Sequence, residues 1–558
     1  MNIDIEKIPF SCPGAYLAIQ KSPIAQGDGI WLRSLIRPEW GTGRPKVSDR
    51  MVRLIPTDSS GAFVAYKTHC TPECLRFASD FGHMEISFTS ARSVRIVAKN
   101  MGIVFEHDSD DSHLVNIETS DTAARGYFPV TFFDLSIRAD KGALRYARPQ
   151  RRFFITGDDI SVSVEAAHRF ADIDGAPITK ESLKESFAAF RAVYKPSCET
   201  EETALYLLWS GTYGKAGRLT RPATAVSKGL MNNVWSWDNC FNALALAPAD
   251  PRLAADNLLL FFDLQLPDGR LPDAVNPYIT VDWFTKPPIY GHFVTALMDR
   301  GVLTDEDLTY LYPRLCRLIG YWESTACANG LFAYAHPFDS GWDNATCFDG
   351  GTPLCTPDLN AYMVLLYRAA GRVAERIGRD GKAHYAAGEA LLKRMLDTMY
   401  ADGKFLCVRP DGTSFVTTSL IRLVPAFLGD LLPDEVMASL ARELAKENLF
   451  LTENSLATES LDSPLYDSRR TEGNKPNAYW RGPVWAPPVY CISAGLRSAG
   501  YDKLADKIAG RFTALVERDK RGIYENYDAL SGAGYDDSSY MWTASVYILL
   551  KTVEKENV

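Results

Sequence analysis

The chain has 558 residues, 46% of them hydrophobic and 23% charged. That is the composition of a packed globular protein, not of a disordered or fibrous one, and the length exceeds what one ordinary core holds, so two domains are expected. The net charge of −9, from 69 acids against 60 bases, is spread along the chain and leaves no basic stripe for nucleic acid.

The opening segment, MNIDIEKIPFSCPGAYLAIQ, holds acids early and no apolar run of signal-peptide length. No stretch approaches the roughly 18 apolar residues of a membrane span. These features predict a cytoplasmic protein with no membrane partner; oligomeric state is not encoded in any motif. The 11 cysteines are scattered and are expected to be reduced and packed. The tightest group, His69, Cys70 and Cys74, lacks the further ligands a zinc site needs. The acidic run 108–113, DSDDSH, does not follow a calcium-loop pattern. No metal and no other cofactor is expected.

Residues 1–175 read as strands. HMEISFTSARSVRIVAKNMGIVFEH, GYFPVTFFDLSIRAD and ISVSVEAAHRF alternate polar and apolar residues, which predicts an antiparallel β-sandwich domain. Within 176–200 the period changes. Thr179 is placed to cap a linking helix over 178–195 with Leu183, Phe187, Phe190 and Val193 on one side, and Pro196 stops it. From 201 to 558 helix follows helix, about twelve in all. Their predicted starts lie near 202, 237, 251, 288, 304, 357, 380, 417, 433, 487, 501 and 537. Asp250-Pro251 and Thr356-Pro357 are cap-plus-proline starts, and Thr304 with Asp307 approaches a capping box. Odd-numbered helices such as TDEDLTYLYPRLCRLIGYWEST are amphipathic, whereas even ones such as LNAYMVLLYRAAG and MWTASVYILL are apolar all round. The chain is thus expected to be mainly α and multidomain, an (α/α)6 toroid catalytic domain preceded by the sandwich.

Five aromatic and acidic clusters fall just before even-numbered helices. They are NNVWSWDNCF (232–241), WFTKPPIYGH (283–292), DSGWDNATCF (339–348), YWRGPVWAPP (479–488) and YENYDALSGAGYDD (524–537). Alternate helices of such a ring run the same way, so these loops should meet at one mouth. Any one cluster reads as buried aromatic core. Five at one end read as a sugar pocket, because indole faces stack on a pyranose and carboxylates take its hydroxyls. Glycosidic cleavage needs two carboxyl groups, one to protonate the leaving oxygen and one to activate water or attack. Asp343, between Trp342 and Asn344, and Glu525, between tyrosine-rich neighbours, are the candidates. Asp238, Asp339, Asp528, Asp536 and Asp537 can instead bind hydroxyls or hold loops.

The helical part resembles the clan that holds glycoside hydrolase family 63 and the family 37 trehalases. The resemblance rests on WSWDNCF, QLPDGRLPD, KPPIYGH, SGWDNA, PDLNAYMVLLY, YWRGPVWAPPVY and ENYDALSGAG…WTA, in that order along the chain. It implies an inverting α-glycosidase acting on a terminal α-glucosyl residue, with Asp343 as general acid and Glu525 as general base. It also implies a substrate-binding set of Trp237, Asp238, Gln265, Lys286, Trp342, Asn344, Tyr479, Trp480, Arg481 and Trp485. A trehalase or a mannosylglycerate- or glucosylglycerate-type hydrolase is the first alternative. The acid motif opens with Asp339-Ser340-Gly341 where the family usually has Glu-Ser-Gly, which bears on substrate choice if that carboxylate touches it. A sugar epimerase would need bases such as His292 or His336, the histidines nearest the clusters. A binding protein without catalysis would have no use for an intact acid and base pair.

Overall fold

A computed structural model of the chain describes residues 1–21, 29–36, 50–107, 113–467 and 478–556. Most of the acidic run 108–113 lies outside the described residues.

Among the described residues between Leu17 and His168 the alternating pattern folds into twelve antiparallel strands. By hydrogen bonding they form one connected sheet rather than the two separate sheets expected of a sandwich. The last two strands, Phe133–Ala147 and Arg152–His168, run 15 and 17 residues, long enough to pair with different partners at their two ends. Arg152–His168 bonds Met101–Glu106 near its start and Ser93–Lys99 near its finish. That sharing joins these twelve strands into one hydrogen-bonded network. His69 and Cys70 sit on one strand and alternate between exposed and buried faces, so they do not converge on a metal.

The helices follow in chain order. They are α1 (Lys180–Tyr194), α2 (Glu199–Ser210), α3 (Asp238–Leu246), α4 (Pro251–Asp263), α5 (Tyr290–Asp299), α6 (Asp305–Glu323), α7 (Pro357–Arg376), α8 (Lys382–Met399), α9 (Asp434–Leu444), α10 (Ala486–Ser498), α11 (Asp502–Val516) and α12 (Met541–Glu556). Thr179 and Thr304 form capping boxes with Ser182 and Asp307, and Asp250 caps α4. The eighth expected helix is instead a 3-10 segment, Leu420–Leu431, which contains Pro425 and breaks at Gly429. A proline removes an interior donor and crowds the preceding turn, which disfavours a regular α-helix there.

Contacts among the apolar helices close a circuit. α3 touches α5, α5 touches α7, α7 touches the 3-10 segment, that segment touches α10, α10 touches α12, and α12 returns to α3. The amphipathic helices α4, α6, α8, α9 and α11 each pack on a member of this circuit. The exception to the alternation is α2, buried along nearly its whole length because α1 and α12 both pack on it and the N-terminal segment reaches it through Ser11 and Pro9.

Candidate active site

The N-terminal approaches of the circuit's helices hydrogen-bond to one another. Ser236 N–H donates to the Asp273 carbonyl and Tyr290 Oη to that of Ser236. Thr285 N–H donates to Asp339. Trp480 N–H donates to Asn344 Oδ1 at 2.8 Å. Val484 and Tyr527 exchange backbone bonds. The five clusters therefore share one end of the helical circuit, as their places before alternate helices predict.

Asp343 follows the 3-10 turn Pro337–Ser340 and Gly341, whose φ of +72° ends that turn. Both oxygens of Asp339 are taken by backbone donors, Thr285 N–H at 3.1 Å and His336 N–H at 3.0 Å. The shortened carboxylate of the acid motif thus fastens the loop. Gly341 lies under the Trp237 indole, where a Cβ would come within 2.6 Å of Cζ2. Burial lifts the Asp343 carboxyl to about 6, against the opposing pull of Lys286 and with a further push from Asp273. That is the range in which a carboxylic acid can hold a proton and still give it up near neutrality.

Glu525 is 3% exposed and accepts from Tyr479 Oη at 2.7 Å. The next residue, Trp480, packs its ring on Trp342 with centroids 4.7 Å apart while Asn344 holds its N–H. Consecutive residues on one loop thus touch Glu525 and both neighbours of Asp343. Trp480 and Trp485 stack at 4.1 Å, and Trp485 Nε1 donates to the Tyr479 carbonyl. Trp237 stands edge-on to Trp542, 5.1 Å between centroids.

Asp238 opens α3 in full burial, and its Oδ1 has no hydrogen-bond partner among the described residues. Burial pushes its carboxyl well above the usual range; Lys286 opposes this, while Asp273 and Glu525 add to it. A buried polar atom left open at a helix start beside two further carboxylates is placed to take a ligand hydroxyl. Trp542 Nε1 is likewise buried with no hydrogen-bond partner among the described residues.

Of the other predicted binding residues, Asn344 and Arg481 are spent on structure. Arg481 Nε donates to the Asn344 carbonyl, and its guanidinium pairs with Asp349. Gln265 does not join the set. Its amide nitrogen donates to the carbonyls of Gly269 and Arg314 and its oxygen accepts from Arg317, so it ties the 265–270 loop to α6. Asp528 and Asp537 hold loops by accepting backbone N–H groups, and Asp536 accepts from Asn526. Two residues of this end were missed. Asp273, in LPD, pairs with Lys286, and Trp542, in WTA, walls Trp237. The signal for Asp273 was present, an acid inside one of the motifs that carry the resemblance.

A model of the mannosylglycerate hydrolase MGH1-like glycoside hydrolase domain matches residues 231–543, more than half the chain. The chain belongs to this family of glycoside hydrolases. The match begins after the sheet and covers every cluster described above. Mannosylglycerate hydrolase from Thermus thermophilus is 24% identical over 413 residues, 58% of this chain and 95% of the relative. In fold, the chain is similar to the crystal structure of a family 63 mannosylglycerate hydrolase, also from Thermus thermophilus, in complex with glucose. The TM-score is 0.54 at 22% identity, over 63% of this chain and all of that one. A bacterial glucoamylase complexed with acarbose matches over 99% of this chain and 95% of its own, at a TM-score of 0.59 and 10% identity. The last likeness takes in the N-terminal sheet as well as the helices. Among the described residues no helix is long and apolar enough to cross a membrane.

Proposed function

We propose that the chain is an inverting α-glycoside hydrolase that releases a terminal α-glucosyl residue from a small saccharide or glucoside. Asp343 acts as general acid and Glu525 as general base. The helical part, 201–558, carries the chemistry as an (α/α)6 toroid, and the sheet, 1–175, is a separate domain joined through 176–200. The observation that supports this reading is that consecutive residues touch the two motifs: Tyr479 bonds Glu525, and Trp480 contacts Trp342 and Asn344, the neighbours of Asp343. Asp343, lifted to about 6, protonates the leaving oxygen. Glu525, oriented by Tyr479, takes a proton from the water that attacks the anomeric carbon from the opposite face. Asp238, with an open oxygen, holds a hydroxyl of the departing glycosyl unit, and Trp237, Trp480 and Trp485 give it apolar walls.

The relatives' names favour a second reading, hydrolysis of mannosylglycerate. An anionic aglycone calls for a cation in the leaving-group region. Two cations that bond to the acid loop, Lys286 and Arg481, also pair with Asp273 and Asp349. Neither His292, bonded to Tyr490 and pulled down to about 4 by burial, nor His336, whose Nδ1 accepts from Phe338 N–H, is placed as an epimerase base.

Proton NMR of the first turnovers on kojibiose, nigerose, maltose, isomaltose, trehalose, glucosylglycerate and mannosylglycerate tests both readings. β-Glucose released first from an α-glucoside is expected. α-Sugar first would mean retention and would remove Glu525 as a water-activating base. Turnover on mannosylglycerate alone would replace the glucosyl assignment. Asp343→Asn and Glu525→Gln are each expected to lose at least about 10³ in kcat while staying folded.

A further inference from the structure

Lys286 is out of place for an ammonium. Its side chain is 8% exposed, in the loop that leads to α5. A buried charge persists only where paired and hydrogen-bonded. Here Nζ lies 3.3 Å from Asp273 Oδ1 and donates to the Phe338 carbonyl at 2.8 Å. Both anchors are fixed by bonds of their own. The Asp273 backbone is pinned between Ser236 and Val281, and Phe338 sits in the 3-10 turn that Asp339 locks. The positive charge is therefore held in one place before any substrate arrives.

Around it stand the carboxyl groups of this end. The Phe338 carbonyl belongs to the loop that carries Asp343, so the ammonium is bonded onto the acid loop itself; Asp343 and Asp238 also act on it electrostatically, as Glu525 does on Asp238 and Asp339 on Asp273. His336 lies next to Asp339, whose oxygens are both engaged by amides. Burial by itself would pull the Lys286 ammonium down; the carboxyl groups around it, Asp273 foremost, outweigh that pull, so the net shift is upward. Asp343 faces the opposite problem. When the glycosidic C–O bond breaks, the Asp343 proton goes to the leaving oxygen and a bare carboxylate remains where burial disfavours it. The attacking water forms the new C–O bond and gives its proton to Glu525, so the balance of charge near Asp343 falls to its neighbours.

We propose that Lys286, clamped by Asp273 and the Phe338 carbonyl, is a positioning residue that acts through Asp343, its fixed positive charge offsetting the carboxylate left when Asp343 protonates the leaving oxygen. This rests on Asp343 being the acid. Fixed charges aimed at where charge develops cost no reorganisation during reaction.

The pair makes opposed predictions for its two members. Lys286→Gln removes the cation that holds the Asp343 carboxyl down, so the alkaline limb of kcat/KM moves to higher pH. Asp273→Asn removes the anion that pushes it up and frees Lys286 toward Asp343, so the limb moves to lower pH. With a sugar leaving group, Lys286→Gln should lower kcat about a hundredfold with little change in KM. With the corresponding α-glycosyl fluoride, whose leaving group needs little protonation, kcat should fall far less. The double variant Lys286→Gln/Asp273→Asn, which buries no net charge, keeps the test available if a single variant does not fold. In it the limb returns toward that of the parent, while the sugar-over-fluoride deficit remains. Equal losses on sugar and fluoride substrates, or limbs that do not move in opposite directions, would overturn the proposal. Activity retained in Asp343→Asn would remove the assignment of the acid. An inactive Asp343→Asn with an unmoved limb in Lys286→Gln would remove this inference alone.

Discussion

Replacing Gly341 by alanine should damage catalysis more than stability, and the structure allows the two to be separated. A Cβ at 341 would stand 2.6 Å from Trp237 Cζ2, 2.7 Å from Cη2 and 2.9 Å from Cε2. Carbon atoms rest about 3.5–4.0 Å apart, so something must yield by about 1 Å. Trp237 has little room, walled by Trp480 and Trp542. The loop is fastened at Asp339, and Ser340 Oγ donates to the Pro337 carbonyl and accepts from Trp342 N–H. The displacement is therefore passed to Asp343, two residues on. A misplacement of about 1 Å at a reacting group costs on the order of 10²-fold in rate. The φ of +72° adds about 1–2 kcal/mol of backbone strain. Gly351 supplies the control, with φ +92° and nothing within 4 Å of its would-be Cβ. Calorimetry and kcat measured on both variants separate the two costs. Gly351→Ala is expected to lose stability alone, and Gly341→Ala to lose about a hundredfold in kcat as well. If Gly341→Ala turned over like the parent and melted like Gly351→Ala, the Trp237 contact would have no part in placing the acid.

Four other outcomes are expected. Above pH about 6, kcat/KM should fall about tenfold per unit, because the acid must be protonated and Asp343 sits near 6; a profile flat to pH 8 would contradict the environment described for it. Asn344→Ala strips the acceptor from Trp480 N–H and should cost about 1–3 kcal/mol of stability in denaturant titration, whereas Gln265→Ala should leave KM within a factor of two. Lys228 is buried, its acceptors among the described residues are neutral, Ser11 Oγ and the Cys12 and Thr212 carbonyls, and burial pulls it down to about 7. The unfolded chain keeps that proton to about pH 10.4, so between 7 and 10 folding stability gains up to about 1.4 kcal/mol per unit from this residue. Lys228→Met should lack that slope, and parallel stability curves for parent and variant would refute it.

The helical half was legible because its starts are chemically marked. Thr179, Asp250 and Thr304 hydrogen-bond as caps, and the twelve predicted starts fall within a few residues of the observed ones. What periodicity does not carry is the partner. It described α2 as an outer helix, although α1 covers it. It read the stretch after 417 as a helix, although Pro425 and Gly429 leave only a 3-10 segment. The sheet was legible as alternating segments over 83–107, 126–140 and 160–170, but its topology hangs on a strand, Arg152–His168, long enough to bond different neighbours at its two ends, and local alternation does not reveal that.

The site divides in the same way. Residue type marked the acids and indoles, because few uses other than a ligand explain so many before alternate helices. It did not separate side chains aimed inward from those that brace the loops. Asn344, Arg481, Asp339 and Gln265 have the chemistry of sugar ligands, and each is occupied by a backbone group or an ion pair. Asp238 has the same chemistry and an open oxygen. The difference lies in what the fold brings against each group. For Asp343 that means one cation and one anion arriving from a single loop region, 273–286, so the acid's environment is set more than fifty residues upstream of the motif that contains it.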